Sequence, residues 1–171
     1  MRHRLYPFVL AAGVFVLDRI TKGIIKSNIS TWDRPLEVIR GYFNIVHTEN
    51  PGIAFGLLAE ASGAWRSVLL IGFALAVLAV ISTALIRGDR AGVQSPLLRT
   101  GLALVLGGAL GNVFDRVVSG TVTDFIEVHA GQHYFPAFNV ADSAISIGAG
   151  LLIIDMWLAR ERKSQTADAH Q

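Results

Sequence analysis

The stretch SVLLIGFALAVLAVISTALI, residues 67–86, is uncharged and almost wholly apolar. An α-helix rises about 1.5 Å per residue, so this stretch is long enough to cross the roughly 30 Å hydrocarbon core of a bilayer. The composition agrees, because hydrophobic residues make up 52% of the 171 residues and charged residues only 16%. The sequence therefore predicts a membrane protein.

Three further segments are apolar enough to predict spanning helices, at residues 5–26, 97–118 and 138–159. The first of them follows MRHR, which is also typical of a cleaved signal peptide. No A-x-A cleavage site follows it, however, and three more predicted spans do, so we interpret it as a retained helix. We predict one membrane-embedded domain over residues 1–163, with four spans, and a disordered tail over residues 164–171.

Arginines and lysines cluster at three places: before the first span, in the short 87–99 turn and after the fourth span. If the chain crosses the membrane four times, all three clusters fall on one side, which the positive-inside rule makes cytoplasmic. Both termini are then cytoplasmic. The two longer connections, 27–65 and 119–137, lie on the outer side.

The two outer connections contain patterns of regular structure. Residues 36–50 and 120–129 are rich in β-branched and aromatic residues and are bounded by Gly, Asn and Pro, which predicts short strands. Residues 53–65 place apolar side chains at four-residue spacing and end on Trp65, which is typical of a short interfacial helix. We expect a small sheet and one short helix on the outer face.

Several ionisable residues lie near the outer ends of the predicted spans. Such groups are functional candidates, because each is costly in a membrane unless it is paired or lies near water. Asp18 and Lys22 are four residues apart with the acid first, the favourable order for a helical ion pair, and we interpret them as a structural pair. Asp115 precedes Arg116, and we interpret Asp115 as part of an interfacial charge pair.

Polar residues also lie on the third span and at the start of the fourth. Gly108, Asn112 and Arg116 recur at four-residue spacing on one helical face. Helix contact explains the glycine, whereas the Asn and the Arg could hold a substrate backbone and a carboxylate. Asn139 is placed to cap the fourth helix, with Asp142 in its first turn, where the helix dipole favours an anion. Asp142 either only complements the dipole or takes part in chemistry.

Asp124 has an unusual setting for a carboxylate. It shares one face of a predicted strand with Val122 and Ile126, and burial there would raise the pKa of Asp124. Asp124 and Asp142 then reach the same interface from two elements, one favoured in its neutral form and the other in its ionised form. This is the acid/base arrangement of an aspartic peptidase, in which one carboxylate activates water and the other protonates or polarises a carbonyl.

Other chemistries fit the sequence less well. The absence of cysteine excludes thiolate metal sites and a cysteine nucleophile. His129 and His133 lie in H-A-G-Q-H, which lacks the glutamate of a zinc-binding H-E-x-x-H helix. Ser62 could suggest a serine intramembrane protease, but no histidine or lysine lies within a span beside it. No phosphate loop or nucleic-acid-binding pattern occurs. We therefore expect no metal, no other cofactor and no nucleic-acid partner.

Five stretches then match one family in its order: D-R-I-T-K (18–22), N-P-G-I-A-F-G (50–56), G-G-A-L-G-N-V-F-D-R (107–116), V-T-D-F-I (122–126) and F-N-V-A-D-S-A-I (138–145). On these residues the chain resembles lipoprotein signal peptidase (signal peptidase II), the bacterial membrane peptidase family that removes signal peptides from prolipoproteins. The resemblance covers about residues 5–160, and the hydrophilic tail lies outside it.

The resemblance implies that Asp124 and Asp142 are the catalytic pair. It also implies a structural role for Asp18 and Lys22, to which we add Asp115. Six further residues are implied to line or shape the substrate site: Asn50, Gly52, Gly108, Asn112, Arg116 and Asn139.

The resemblance further implies an all-α polytopic membrane fold, with four transmembrane helices, a small periplasmic β-cradle and a short lid-like helix over residues 53–60. The implied substrate is a signal helix whose cleavage-site Cys carries diacylglycerol, cut on the amino side of that Cys. Membrane lipid and a globomycin-type cyclic peptide inhibitor are the other implied partners. We expect a monomer in the bacterial cytoplasmic (inner) membrane, with its active site at the periplasmic face.

Two rival functions remain at this point. Intramembrane Asp, Lys and Arg also mark ion or proton paths, as in a small transporter or channel component. The polar residues cluster at one face, however, and four spans without repeat symmetry do not favour alternating access. The other rival is a non-catalytic membrane scaffold in which the aspartates serve only as caps.

Overall fold

The computed structural model describes residues 2–52 and 64–168. These residues form four α-helices and four β-strands, which in chain order are α1 (Arg2–Asn28), β1 (Leu36–Ile39), β2 (Phe43–Asn50), α2 (Ala64–Arg87), α3 (Pro96–Ser119), β3 (Val122–Ala130), β4 (His133–Tyr134) and α4 (Val140–Asp168). The predicted lid-like helix over 53–60 lies outside the described residues.

Three of the described helices are long and apolar enough to cross a membrane, at Val68–Arg87, Pro96–Ser119 and Val140–Glu161. They correspond to the second, third and fourth predicted spans. The second half of α1 carries four charged residues, and length and composition do not identify it as a span. Four membrane crossings therefore stay a prediction.

Helix α3 lies at the centre of the bundle and packs against α1, α2 and α4. Glycines allow the close approach on two of these faces. A Cβ atom at Gly107 would lie 2.5 Å from the carbonyl oxygen of Ala11 on α1, and one at Gly108 would collide with the carbonyl oxygen of Ala141 on α4. The small residues thus bring three helix backbones together beside the polar end of α3.

The bounds of α3 follow from its end residues. Ser95 caps its N-terminus by accepting a hydrogen bond from the backbone N–H of Leu97, and Pro96 opens its first turn. Gly120 ends it in the left-handed conformation, at φ 77°, and donates its N–H to the carbonyl oxygen of Arg116. The last two turns therefore carry Asn112, Asp115 and Arg116 toward the sheet.

The sheet is antiparallel, with strand order β1-β2-β3-β4, and it confirms the strands predicted in both outer connections. Strand β2 pairs with β3 in a register that shifts between Ile45 and Thr48, after which Thr48 lies opposite Asp124. The backbone N–H groups of Phe125 and Ile126 both donate to the carbonyl oxygen of Phe138. This connection fixes β3 against the residue that immediately precedes the cap of α4.

The disordered tail predicted over residues 164–171 is wrong for the part that the structure describes. Helix α4 continues without a break to Asp168. The segment beyond the apolar stretch is rich in Arg, Glu, Lys, Gln and Ala, and these residues have high helix propensity. Polarity ends the apolar span there, but it does not end the helix.

Candidate active site

The start of α4 is held by a reciprocal cap. The side-chain oxygen of Asn139 accepts a hydrogen bond from the backbone N–H of Asp142 at 3.0 Å, and an Asp142 carboxylate oxygen accepts from the backbone N–H of Asn139 at 3.3 Å. This is the geometry of a capping box, in which two unpaired backbone donors of a helix start are satisfied together. The cap fixes the position of the Asp142 carboxylate.

Asp124 lies on β3 and is 3% exposed. Its two oxygens accept hydrogen bonds from Asn50 Nδ2 at 3.0 Å and from Asn139 Nδ2 at 2.7 Å. Burial, together with the nearby charge of Asp142, raises the pKa of Asp124 to about 6, while the two amide donors and the charge of Lys22 act in the opposite direction. A carboxyl group with this pKa can hold or release a proton near neutral pH.

A third asparagine joins α3 to this arrangement. Asn112 Nδ2 donates to the carboxylate of Asp142 at 2.7 Å, and Asn112 Oδ1 accepts from Asn139 Nδ2 at 3.3 Å. Asn139 is fully buried and contacts Asp124, Asn112 and Asp142. The two carboxylates are therefore linked through one residue, Asn139, whose side-chain amide donates to Asp124 and whose backbone N–H donates to Asp142, although β3 and α4 supply them separately.

Arg116 follows Asn112 by one turn on α3. Its guanidinium donates to the carbonyl oxygen of Gly52 at 2.9 Å and to that of Asn112 at 3.3 Å. Gly52 in turn donates its N–H to the side-chain oxygen of Asn50 at 2.9 Å. Arg116 thus ties the chain after β2 to α3, and its positive charge interacts with both carboxylates of the pair.

These groups face a cleft of about 700 Å³. Its polar wall carries Asn50, Asn112, Arg116, Asp124 and Asp142. Its apolar wall is formed by Phe135, Phe138 and Ile145, among others. A cleft with apolar walls and a few convergent polar groups is typical of a site that binds an extended apolar ligand.

A second cluster of charges, which we call the support cluster, lies behind the pair and consists of Asp18, Arg19, Lys22 and Asp115. Lys22 Nζ lies 2.9 Å from Asp18 and 2.8 Å from Asp115, and Arg19 binds the same two carboxylates at 3.0 and 2.6 Å. Asp18 also accepts a hydrogen bond from the backbone N–H of Ala141 at 3.1 Å, in the first turn of α4. Two cations and two anions balance one another there.

The structure brings most of the predicted residues together, but with differences in detail. Asp115 forms its ion pairs with Arg19 and Lys22 and not with its neighbour Arg116, so the charge pair that we interpreted from adjacency is wrong. Gly108 lies against the backbone of α4 and shapes the site from behind the cleft wall. Gly52 acts through its carbonyl group, as the acceptor for Arg116.

Sequence reasoning missed two charged residues. One is Arg19, whose partner Asp115 is 96 residues away. The other is Glu49, which lines the cleft and accepts hydrogen bonds from Thr121 and Thr123. Burial alone would raise the pKa of Glu49, but these threonines, His47 and the charge of Lys26 together hold it below its usual range. The position of Glu49 beside Asn50 in a predicted strand was the only available signal.

Comparison with known proteins places this geometry in a family. A family model described as signal peptidase (SPase) II matches residues 10–158. The chain belongs to the signal peptidase II family. The resemblance drawn from the five sequence stretches is thereby confirmed, and the chain is a peptidase of the aspartic type.

Individual relatives agree with the signal peptidase II assignment. The lipoprotein signal peptidase of Solibacter usitatus is 44% identical over 147 residues, which cover 86% of this chain and 87% of the relative. That of Syntrophus aciditrophicus is 40% identical over 166 residues, covering 96% of this chain and 100% of the relative. That of Pseudomonas putida is 42% identical over 156 residues, covering 91% and 88%.

Two solved structures, both described as bacterial membrane enzymes studied by the in meso method, have the same fold. One superimposes with a TM-score of 0.80 at 31% sequence identity, covering 92% of this chain and 91% of the other. The second has a TM-score of 0.75 at 30% identity, covering 88% and 92%. With its apolar helices, this member of the signal peptidase II family is an integral membrane protein.

Proposed function

We propose that this chain removes the signal peptide from diacylglyceryl-modified prolipoproteins, and that Asp124 and Asp142 are its catalytic pair. Membership of the signal peptidase II family supports the substrate class. The observation that supports the pair is its linkage through Asn139 on the wall of one cleft, with the pKa of Asp124 raised to about 6. Two carboxyl groups in unlike surroundings can divide the acid and base roles between them.

The proposed reaction is a hydrolysis by one activated water. Asp142, held by the helix cap, takes a proton from a water molecule as the water oxygen attacks the scissile carbonyl carbon. Asp124 in its protonated form donates to the carbonyl oxygen, which stabilises the tetrahedral intermediate. Collapse of the intermediate breaks the C–N bond, and a proton passes to the leaving nitrogen. The products are a signal peptide with a free carboxylate and a lipidated peptide with a free amine.

The remaining polar residues of the cleft would bind the substrate chain. Asn50 and Asn112 both lie at the cleft wall, and the side-chain amide of each donates to one carboxylate of the pair. Arg116 holds the loop carbonyl of Gly52 beside them. Hydrogen bonds from such groups to a substrate backbone would fix an extended chain with its scissile bond between the aspartates.

The lipid on the substrate agrees with a site at the outer face of the bacterial inner membrane. Acyl chains of the modified Cys would stay in the bilayer, while the scissile bond would lie at headgroup depth, where water reaches the carboxylates. A globomycin-type cyclic peptide would occupy the same cleft. The protein would act as a monomer, because the described residues place both carboxylates in one chain.

The proposed orientation has four crossings and both termini in the cytoplasm, as the Lys and Arg distribution indicates. Alkaline phosphatase fusions after Gln94 and after Gly131 test it. The fusion after Gln94 should be inactive and that after Gly131 active, because only the second would lie in the periplasm. Phosphatase activity at Gln94 would contradict this orientation.

The proposed activity is tested with purified protein in detergent and a diacylated prolipoprotein. The matched control is the same precursor with its cleavage-site Cys replaced by Ser, which cannot carry the lipid. We expect cleavage of the lipidated precursor alone, with the Cys as the new N-terminus by mass spectrometry. Equal cleavage of both precursors would contradict the substrate class, and activity lost in a chelator and restored by zinc would contradict the aspartic mechanism.

A further inference from the structure

We propose that Lys22 is a positioning residue, which fixes the orientation of the amide groups that hold the two catalytic carboxylates. The inference deepens the proposed function and rests on it. It gives Lys22 a part in turnover beyond the stability of the bundle. The buried ammonium group of Lys22 makes the three contacts that carry this role.

Lys22 is 1% exposed, and three of its contacts are within hydrogen-bonding distance. Its Nζ lies 2.9 Å from Asp18, 2.8 Å from Asp115 and 3.1 Å from Asn112 Oδ1. An ammonium group has three donors and no acceptor, so all three of its hydrogens are used. Charge balance with the aspartates accounts for two of these bonds. The third bond goes to a neutral amide that belongs to the active site.

This third bond determines which way the Asn112 amide faces. Oxygen and nitrogen of an amide have nearly the same shape, and only their partners distinguish them. Because Lys22 can only donate, the atom that faces it must be the oxygen. The nitrogen of Asn112 must then face Asp142, to which it donates at 2.7 Å.

The orientation continues from Asn112 to Asp124. The oxygen of Asn112 also accepts from Asn139 Nδ2 at 3.3 Å, and the same nitrogen donates to Asp124 at 2.7 Å. The backbone N–H of Asp142 faces the oxygen of Asn139 and reinforces this direction. Each described hydrogen bond between an amide group and a carboxylate of the pair thus has the amide nitrogen as its donor.

Without the ammonium group the Asn112 amide could turn and present its oxygen to Asp142. Two acceptors would then face each other in a buried site, which is unfavourable unless the carboxylate holds a proton. A protonated Asp142 could not take a proton from water. In addition, the positive charge of Lys22 opposes the rise in the pKa of Asp124 that burial causes.

Charged groups from five elements face this chain of contacts: Asp18, Arg19, Lys22 and Lys26 of α1, Glu49 of β2, Asp115 and Arg116 of α3, Asp124 of β3 and Asp142 of α4. Of these cations, Lys22 is the one described with a hydrogen bond to the Asn112 side chain. Arg19 contacts the same two aspartates of the support cluster but has no such bond among the described contacts. This difference provides a matched pair of variants.

The test variant is Lys22→Met with Asp115→Asn, and the control is Arg19→Met with Asp115→Asn. Each removes one cation and one anion, so the support cluster stays neutral in both. Only the first loses the donor to Asn112. We expect the test variant to lose kcat by roughly 100-fold, the scale at which a misplacement of about 1 Å acts, with KM nearly unchanged. The control should keep kcat within about threefold of the parent.

The pH profile is the measurement that a merely structural role would not change. In the test variant the acidic limb of kcat should lie at higher pH than in the control by roughly half a unit or more. Both variants lose the Asp115 charge, but only the test variant loses the Lys22 charge and its hydrogen bond to Asn112. The limb of the control should stay closer to that of the parent. Equal losses of kcat and equal limbs in the two variants would overturn the role of Lys22.

If the Met variant does not purify as folded protein, Lys22→Gln with Asp115→Asn replaces it. Glutamine can present either an oxygen or a nitrogen to Asn112, so it no longer dictates the direction of that bond. The acidic limb should still move upward, and an unmoved limb with parental kcat would overturn the inference. Failure of the parent enzyme to cleave the lipidated precursor would instead contradict the proposed function, so the two failures are distinguishable.

Discussion

Two pairs of aspartates lie next to each other in this molecule, and their surroundings are opposite. Asp18 and Asp115 are bound by two cations, Lys22 and Arg19, at distances of 2.6 to 3.0 Å. Asp124 and Asp142 receive their close hydrogen bonds from amide groups of three asparagines and of the backbone. The first pair is neutralised by direct salt bridges, whereas the described hydrogen bonds to the second pair come from neutral groups.

The difference shows how one protein places some carboxylates in ion pairs and others among neutral hydrogen-bond donors. A direct cation favours the charged form of an acid, while burial among neutral donors permits the neutral form. The pKa of Asp124 is accordingly raised to about 6. Proximity to the same helices does not decide the role of an aspartate. The partner that touches it does.

The largest expected effect comes from removing the exchangeable proton. Asp124→Asn and Asp142→Asn should each lower kcat by about 10³-fold or more, because an amide keeps the size and one acceptor but cannot exchange a proton. The double variant should be little worse than either single variant, since the two residues act as a unit. Single-turnover assays with folded protein check this. A kcat above a few per cent of the parent value in either variant would show that the pair does not carry the mechanism.

The next effect comes from breaking the support cluster. Asp18→Ala should lower the free energy of unfolding by about 3–5 kcal/mol, because it leaves buried cations with too few anions. Thermal unfolding in detergent measures it. The control is Asp155→Ala, which removes a carboxylate that has no ion pair among the described residues. Equal unfolding temperatures for these two variants would show that the cluster contributes no net stability.

The raised pKa of Asp124 makes stability depend on pH. The folded protein binds this proton more tightly than the unfolded chain, in which the carboxyl has its ordinary value of 3.8. This contribution to stability is therefore present below about pH 4 and is lost as the pH rises through about 6, with a cost of up to about 3 kcal/mol.

Asp124→Asn should accordingly gain stability relative to the parent as the pH rises from 4 to 8, because the amide has no titrating proton. The amide keeps only one of the two hydrogen-bond acceptors, and that loss is the same at both pH values. Unfolding curves at both pH values test this sign. A variant whose loss of stability relative to the parent is larger at pH 8 than at pH 4 would contradict a raised pKa of Asp124.

The smallest expected effect is at Arg116. Arg116→Lys should lower kcat/KM by about tenfold, because a lysine cannot reproduce the planar fork that reaches the carbonyl oxygens of both Gly52 and Asn112. Arg40→Lys, at an exposed arginine of the turn between β1 and β2, is the control. Unchanged activity at Arg116→Lys would leave only its positive charge as relevant to the site.

Sequence reasoning succeeded where the interaction is local. The ion pair of Asp18 and Lys22 spans one helical turn, and the cap of Asn139 over Asp142 spans three residues, so spacing alone indicates both. The strands of the outer connections are similarly visible in alternation and turn residues. The membrane helices follow from composition, although the charges of α1 keep it from meeting the same criterion.

Sequence reasoning failed where two partners are distant along the chain or where a sequence pattern fits more than one structure. Arg19 reaches Asp115 across 96 residues, and no spacing rule connects them. The register shift between Ile45 and Thr48 decides that Asn50 meets Asp124, and a shift of this kind leaves no trace in alternation. The helical tail was missed because hydrophilic composition fits both a solvated helix and a disordered segment.

The reciprocal cap of Asn139 and Asp142 has a consequence for how the enzyme matures. The carboxylate that closes the first turn of α4 is also a member of the proposed catalytic pair. Helix initiation at this point and assembly of the reactive centre are therefore a single event during biogenesis. Fraying of this turn would break the hydrogen bond that positions the Asp142 carboxylate. Selection for a robust helix start alone would therefore retain an acidic residue at this position.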